Sequence, residues 1–276
     1  MKDTPVTVIL STYNARAYIE ECLAGLAGQS FSGFVVKMVD DASSDDTVDL
    51  LQSWCAKDPR FQLVNVHREN RGLTASLNEL LGHCDTDLVA RMDADDISLP
   101  RRLERQVEYL ARHPKIQVVG SWARDIDETG QVLGVRRVPR TPEKIARMLP
   151  LVNPLIHPTV MFRRQTICDI GGYNEKYRYA QDYELWFRCV AHNLQLANIG
   201  EPLLLYRVVT GHTGKRSWHY RKLDAGIRWQ GTSLLGYSLP RRLFYASIPL
   251  ALGLMPEPLK KAALARKDIL DPRQRH

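Results

Sequence analysis

Four short apolar or β-branched runs, alternating with amphipathic helical patterns, constrain this chain more than any other feature. They are Val6 to Leu10, Phe34 to Val39, Gln62 to Val66 and Leu88 to Met92, each closed by a polar loop. Between them Tyr18, Ile19, Cys22, Leu23 and Leu26 fall on one helix face. Val48, Leu51, Trp54 and Cys55 mark a second helix with Ser44 as its N-cap, and Leu73, Leu77, Leu80 and Leu81 mark a third. Strands alternating with helices of this length require right-handed crossovers, which predicts an α/β fold: a mainly parallel sheet flanked by helices. The C-terminal strand ends of such a sheet form one ligand-binding edge. Ser11 to Asn14, Asp40-Asp41 and Asp93 to Asp96 all lie there, so three polar loops distant in sequence should converge.

After a helix carrying Leu103, Val107 and Leu110 the regular alternation ends. Val118 to Trp122 leads into a hairpin over Asp125 to Arg137, turning at Glu128-Thr129-Gly130. Thr141-Pro142-Glu143 starts a helix, and Asn153 to Pro158 forms a loop before a strand over Thr159 to Phe162. Gly171-Gly172-Tyr173 is a turn, Asp182 to His192 a helix with an acidic start, and Leu203 to Tyr206 the last clear strand. From about Ser217 the chain is basic and helical. Leu243 to Met255 is apolar, contains Pro249 and is too short to span a bilayer; Arg241-Arg242 and Lys260-Lys261 flank it. It can lie on an anionic membrane surface, pack as a helical pair on the preceding domain, or form a dimer contact.

The 276 residues, 44% hydrophobic, suffice for one large domain with an extension, and the formal net charge of +7 suits an anionic partner without choosing one. Cys22, Cys55, Cys84, Cys168 and Cys189 are odd in number and scattered through apolar patterns, which predicts reduced core thiols. With no signal-peptide pattern and no membrane span, the expected location is cytoplasmic.

The apolar run Leu88 to Met92 ends in three carboxylates, Asp93, Asp95 and Asp96. Such a cluster repels itself unless a cation sits there, and Mg²⁺ or Mn²⁺ carrying a phosphate-bearing substrate is the natural guest of an Asp-x-Asp at a sheet rim. Asp95 and Asp96 could instead cap a helix opened by Pro100.

At this point the residues resemble a known family. Val8 to Asn14, Val39-Asp40-Asp41-Ala42-Ser43, Glu69-Asn70-Arg71-Gly72-Leu73, Arg91 to Asp96, His157-Pro158-Thr159, Gly171-Gly172-Tyr173 and Gln181 to Trp186 together look like the glycosyltransferase family 2 domain over about residues 5 to 210. The resemblance implies a GT-A fold, a Rossmann-like nucleotide half (about 1–122) plus an acceptor half (about 123–215), with 216–276 as a basic helical extension. It implies an inverting transfer from a nucleotide diphosphate sugar, a UDP-sugar first, to a glycan or lipid-linked acceptor in polysaccharide or lipopolysaccharide assembly, and no nucleic acid. By this resemblance Asp95 binds the metal. Asp93 faces the ribose or shares the metal, Asp96 is either a neighbour of the ligand set or a cap, and His212 reaches the metal or phosphates from a later loop. Ser11, Thr12, Tyr13, Asp40, Asp41 and Arg71 would hold the nucleotide, an Asp carboxylate accepting the N3–H of uracil. Asp182 would be the base that deprotonates the acceptor, although Gln181 stands where the family usually has Glu. His157 would position its loop and Trp186 would be core.

A nucleotidyltransferase or a dinucleotide-binding dehydrogenase would need a Gly-rich phosphate loop after the first strand, where Ser11-Thr12-Tyr13-Asn14 stands. A non-catalytic carbohydrate-binding module would leave three converging acidic loops without a purpose. The processive signature Gln-x-x-Arg-Trp is absent, since Arg228-Trp229-Gln230 has the wrong order, so transfer of one or a few sugars is expected.

Overall fold

A computed structural model describes residues 6–208 and 217–256. Strand β1 (Val6–Thr12) is central, parallel to β2 (Phe34–Asp40) on one side and to β4 (Leu88–Met92) on the other, with β3 (Phe61–Val66) beyond β2. A strand covered on both faces carries little alternation, hence the unbroken Val-Thr-Val-Ile-Leu of β1. The Thr7 hydroxyl within that run is satisfied by Thr86 at 2.8 Å.

The two faces carry separate cores. Val6, Val8 and Leu10 pack against α1 (Ile19–Ala27), α2 (Thr47–Lys57) and α4 (Arg102–Arg112) through Leu23, Leu51 and Leu103. Ile9 and Val89 face α3 (Leu73–His83) and α7 (Gln181–Ala191) through Leu77 and Trp186. Beyond β4 the sheet becomes mixed: β8 (Met161–Arg163) runs antiparallel to β4 and to β6 (Ile116–Ile126), and β9 (Gln195–Arg207) runs parallel to β6. A two-residue β5 (Ile97–Ser98) closes the far edge on β9, and β7 (Val132–Arg136) forms the expected hairpin with β6. Helices α5 (Pro142–Met148) and α6 (Arg164–Asp169) complete the second half.

Three local expectations change. Thr159 ends a 3-10 turn, His157–Thr159, instead of opening a strand, because its hydroxyl donates back to Ile156 O at 2.7 Å and accepts from Ser121 N at 3.1 Å. Ser44 does not cap α2; the helix starts at Thr47, while Ser44 N donates to Asn14 Oδ1 at 2.8 Å. Strand β9 is far longer than Leu203 to Tyr206, its alternation broken where the register with β6 shifts around Trp122.

Helices α8 (Trp218–Leu234) and α9 (Leu239–Leu254) form a hairpin turned by Gly236 at φ 72°. Ile227 of α8 belongs to the second core, and a Cβ at Gly231 would collide with the Phe187 ring, so glycine sets the α7–α8 approach. Arg228 ties α8 to the domain by donating to Pro150 O at 2.8 Å and Leu151 O at 2.7 Å. Among the described residues no helix is long and apolar enough to cross a membrane.

Candidate active site

The first two strand-end loops are laced together. Thr12 Oγ1 donates to Asp40 Oδ1 at 2.8 Å, Asn14 N to Ser43 Oγ at 2.8 Å and Asp41 N to Thr12 O at 2.8 Å. Asn14 takes a left-handed conformation, φ 48°, which an asparagine tolerates. This leaves Tyr13 54% exposed at the rim. Ser11 is half-buried behind it.

Asp40 and Asp41 are less open than their positions suggest. Asp40, fully buried, also accepts from Ser43 N at 2.8 Å and Ser43 Oγ at 2.6 Å. Asp41 accepts from His67 Nδ1 at 2.7 Å, Arg71 N at 2.8 Å and Gly72 N at 2.8 Å. An ionised carboxylate offers about four acceptor positions, so each retains about one. Asp41 thus pins the turn into α3, where Gly72 at φ 90° supplies the conformation. His67 stands between two carboxylates, its Nε2 2.8 Å from Glu79 Oε2. Burial lowers its pKa, but the hydrogen bonds to Asp41 and Glu79 outweigh it and the net shift is upward. Arg71 donates from Nη1 to Glu79 Oε2 at 3.1 Å and is 51% exposed.

Beyond β4, carboxylate oxygens of Asp93, Asp95 and Asp96 lie within 4.8 Å of one another. Helix α4 begins only at Arg102 and its cap residue is Arg101, so neither Asp95 nor Asp96 caps it. Asp96 is buried; Oδ1 accepts from Arg207 N at 2.8 Å, and Oδ2 has no partner among the described residues. Burial, then the neighbouring Asp93 charge, pushes the Asp95 carboxyl up to about 6, and burial with both neighbours pushes Asp96 well above the usual range. An all-oxygen set with an unpartnered buried carboxylate oxygen fits a hard divalent cation.

Two arginines that motif reading overlooks hold this cluster. Buried Arg91, on β4, forms a two-pronged ion pair with Asp93. Arg207, the last residue of β9, donates from Nε to Asp95 O at 2.9 Å and from Nη2 to Glu21 Oε2 at 2.6 Å, and its guanidinium lies 4.4 Å from the Tyr18 ring centre. Behind them Arg102 donates to Arg91 O at 2.6 Å; burial, reinforced by the Arg91 charge, lowers its pKa to about 10. His212 lies outside the described residues.

Asp182 sits half-buried in the first turn of α7, where Asn153 Nδ2 donates to its Oδ2 at 2.6 Å. Buried Tyr173 feels the charges of Arg91, Asp182 and Asp93, which places α7's acidic start in the same electrostatic neighbourhood as the carboxylate cluster. Tyr220, in the first turn of α8, also feels the Asp182 charge. His157 is buried and donates or accepts at Tyr173 Oη at 3.0 Å. Burial first, then the Arg91 charge, holds it neutral, which suits a positioning residue. Trp186 is fully buried core.

A parallel half-sheet that continues into a mixed one, with a carboxylate cluster at its C-terminal rim, is the arrangement of a GT-A fold. The family described as "Glycosyl transferase family 2" matches residues 7–171, and the chain belongs to that family. It is 32% identical to EpsE of Bacillus subtilis (strain 168), over 91% of this chain and 90% of that one. It is 29% identical to the amylovoran biosynthesis glycosyltransferase AmsE of Erwinia amylovora, over 91% and 94%. Among solved structures, S. aureus TarS 1–349 in complex with UDP-GlcNAc superposes with a TM-score of 0.72 at 17% identity, covering 98% of this chain and 81% of that one. The mannosyltransferase PcManGT of Pyrobaculum calidifontis, in complex with GDP-Man and Mn²⁺, superposes with a TM-score of 0.61 at 22% identity, over 99% and 82%. The protein is a glycosyltransferase.

Proposed function

We propose that the chain is an inverting, metal-dependent transferase that adds single sugars from a UDP-sugar to a hydroxyl of a glycan or lipid-linked acceptor during cell-surface polysaccharide assembly. The observation that carries this reading is the set of three carboxylates within 4.8 Å at the sheet's C-terminal rim. Asp95, with Asp93 and Asp96, would hold Mn²⁺ or Mg²⁺, and His212 is retained as a further ligand. A cation held there would supply positive charge to the diphosphate leaving group. Tyr13 flanks the base, Ser11 and Thr12 shape its pocket, the remaining acceptor position of Asp40 or Asp41 meets the base's N–H, and Arg71 swings to the diphosphate. Asp182, oriented by Asn153, takes the acceptor's hydroxyl proton as that oxygen attacks the anomeric carbon from the face opposite the leaving group. One displacement inverts the configuration, and no second nucleophilic carboxylate is needed. Polysaccharide assembly is supported by AmsE and by the O-antigen biosynthesis glycosyltransferase WbnJ of Escherichia coli, 30% identical over 78% of this chain and 84% of that one.

The division of labour follows the same reading: residues 1–215 carry transfer, and 216–276 anchor the enzyme at the cytoplasmic face of a membrane. Leu239, Leu243, Phe244 and Leu254 are all more than half exposed on α9, beside Arg241 and Arg242, an apolar face edged by cations. Five unpaired cysteines fit a reducing compartment.

A panel of UDP- and GDP-sugars, incubated with and without Mn²⁺ or Mg²⁺, tests the donor reading. Slow hydrolysis of one UDP-sugar, abolished by chelation, is expected; a preference for GDP-sugars, or full activity in EDTA, would refute the corresponding part. For the anchor, Leu243→Glu with Phe244→Glu is expected to cut flotation with anionic liposomes by about tenfold or more, since each buried apolar side chain contributes ~1.5–3 kcal/mol. Unchanged flotation would reject membrane contact.

A further inference from the structure

Away from the catalytic rim, α4, the mid-length of β6 and β9, and the segment entering α5 enclose a cavity of about 520 Å³. That is within the ~300–1,000 Å³ typical of small-ligand sites. Arg105, Arg137, Arg140 and Lys144 line it with Tyr109 and Trp122, and no carboxylate does among the described residues. Arg105 is already paired, to Glu201 at 3.1 Å and Glu108 at 3.6 Å. Among the described residues no carboxylate pairs with Arg137, Arg140 or Lys144. Three like charges facing one concavity without counter-charge repel one another, and an anion entering it relieves this.

The walls are fixed in position. Trp122 Nε1 donates to Val138 O at 2.9 Å, and the Arg137 guanidinium lies 5.5 Å from the Trp122 ring centre. Tyr109 stacks on His113, ring centres 4.2 Å apart. Arg140 lies across β9 where Gly200 has no side chain; a Cβ there would come within 2.8 Å of Arg140 Nε. Fixed aromatic rings beside unpaired guanidinium groups match a pyranose ring, whose C–H faces pack on aromatics, carrying a carboxylate or phosphate that guanidinium binds with two parallel hydrogen bonds. Gly200 and Arg207 lie on the same strand, and at ~3.3 Å per residue the cavity is roughly 20 Å from the carboxylate cluster.

We propose that this cavity is a second glycan site, which holds an acidic sugar unit of the acceptor at a distance from its reacting end. The proposal rests on the glycan-acceptor reading above. It confers a preference for acceptors carrying carboxylate or phosphate groups, and its contribution falls with ionic strength.

Isothermal titration of the full chain with tetragalacturonate, an oligo(glycerol phosphate) and neutral maltotetraose tests it. At least one anionic probe should bind, and whichever binds identifies the charged group. Arg137→Gln with Arg140→Gln should weaken it by tenfold or more, on the scale of about tenfold for each charge-assisted bond lost. Gly200→Ala keeps every charge but displaces Arg140, and should weaken it as well. Binding of neither anionic probe, equal binding of maltotetraose, or unchanged binding in the double variant would overturn the site. Donor hydrolysis, measured in parallel, should be untouched by all three substitutions. Its absence from the wild type would count against the transferase reading, while the titration would still report on the cavity.

Discussion

Asp95→Asn is expected to lower sugar transfer by ~10²-fold or more, the scale on which removal of one charge-stabilising group acts. The substitution preserves shape and removes one charge of three that lie within 4.8 Å of one another. Without a cation that proximity is unfavourable, and Arg91 and Arg207 offset only part of it: Arg91 is committed to Asp93, and the Arg207 side chain reaches Asp95 only at its backbone oxygen. The metal-free variant should therefore be at least as stable as the wild type in thermal denaturation, because a like-charge repulsion in a half-buried site has been removed. Adding Mn²⁺ should raise the wild-type midpoint more than that of the variant, since a ligand that binds only the folded state stabilises it in proportion to its affinity. A folded Asp95→Asn protein that transfers sugar at the wild-type rate in saturating Mn²⁺ would exclude Asp95 as a ligand. Loss of activity with a collapsed midpoint would instead indicate that the residue is needed for folding.

Asp182→Asn should separate chemistry from binding. The side chain keeps its size and its place beside Asn153, but it can no longer take a proton, so kcat should fall ~10²–10⁴-fold while KM for the donor stays near its wild-type value. In the proposed reading the donor is held by the loops after β1, β2 and β4, and Asp182 is not among the groups that bind it. A rise in donor KM with kcat preserved would reassign Asp182 to substrate positioning, and near-normal turnover would remove it as the base. Gln181 bears on the same experiment: it is buried and uncharged, and the other carboxylate of that turn, Glu184, is paired with Arg188 at 2.8 Å.

Much of the first half of the fold was legible from local pattern. The first four strands and three helices fall where the apolar spacing places them, because in a doubly wound layer each element buries its own face and the periodicity of that face is written locally. The convergence of Thr12, Asp40 and Asp41 follows from the same geometry, since parallel strands joined by right-handed crossovers bring alternate loops to one edge. The second half of the fold was read less well. Its strands run in both directions and borrow partners from far along the chain, so β5 and the full length of β9 carry no periodic signal of their own.

The sequence by itself determined the α/β layering, the position of Asp93, Asp95 and Asp96 at a strand end and the helix start that carries Asp182, all consequences of spacing within a few turns of chain. Tertiary structure alone decided which cations answer that acidic cluster, that Asp96 belongs to it and caps no helix, and that Asp40 and Asp41 are largely occupied by their own loops. It also brought Asn153 and Tyr220 to Asp182 and gathered an uncompensated basic cavity from α4, β6, β9 and α5. The physical reason is the same in each case. A charge's partner is whichever group packing brings within a few ångströms, and Arg207 reaches Asp96 across a sequence separation of 111 residues that no local pattern records.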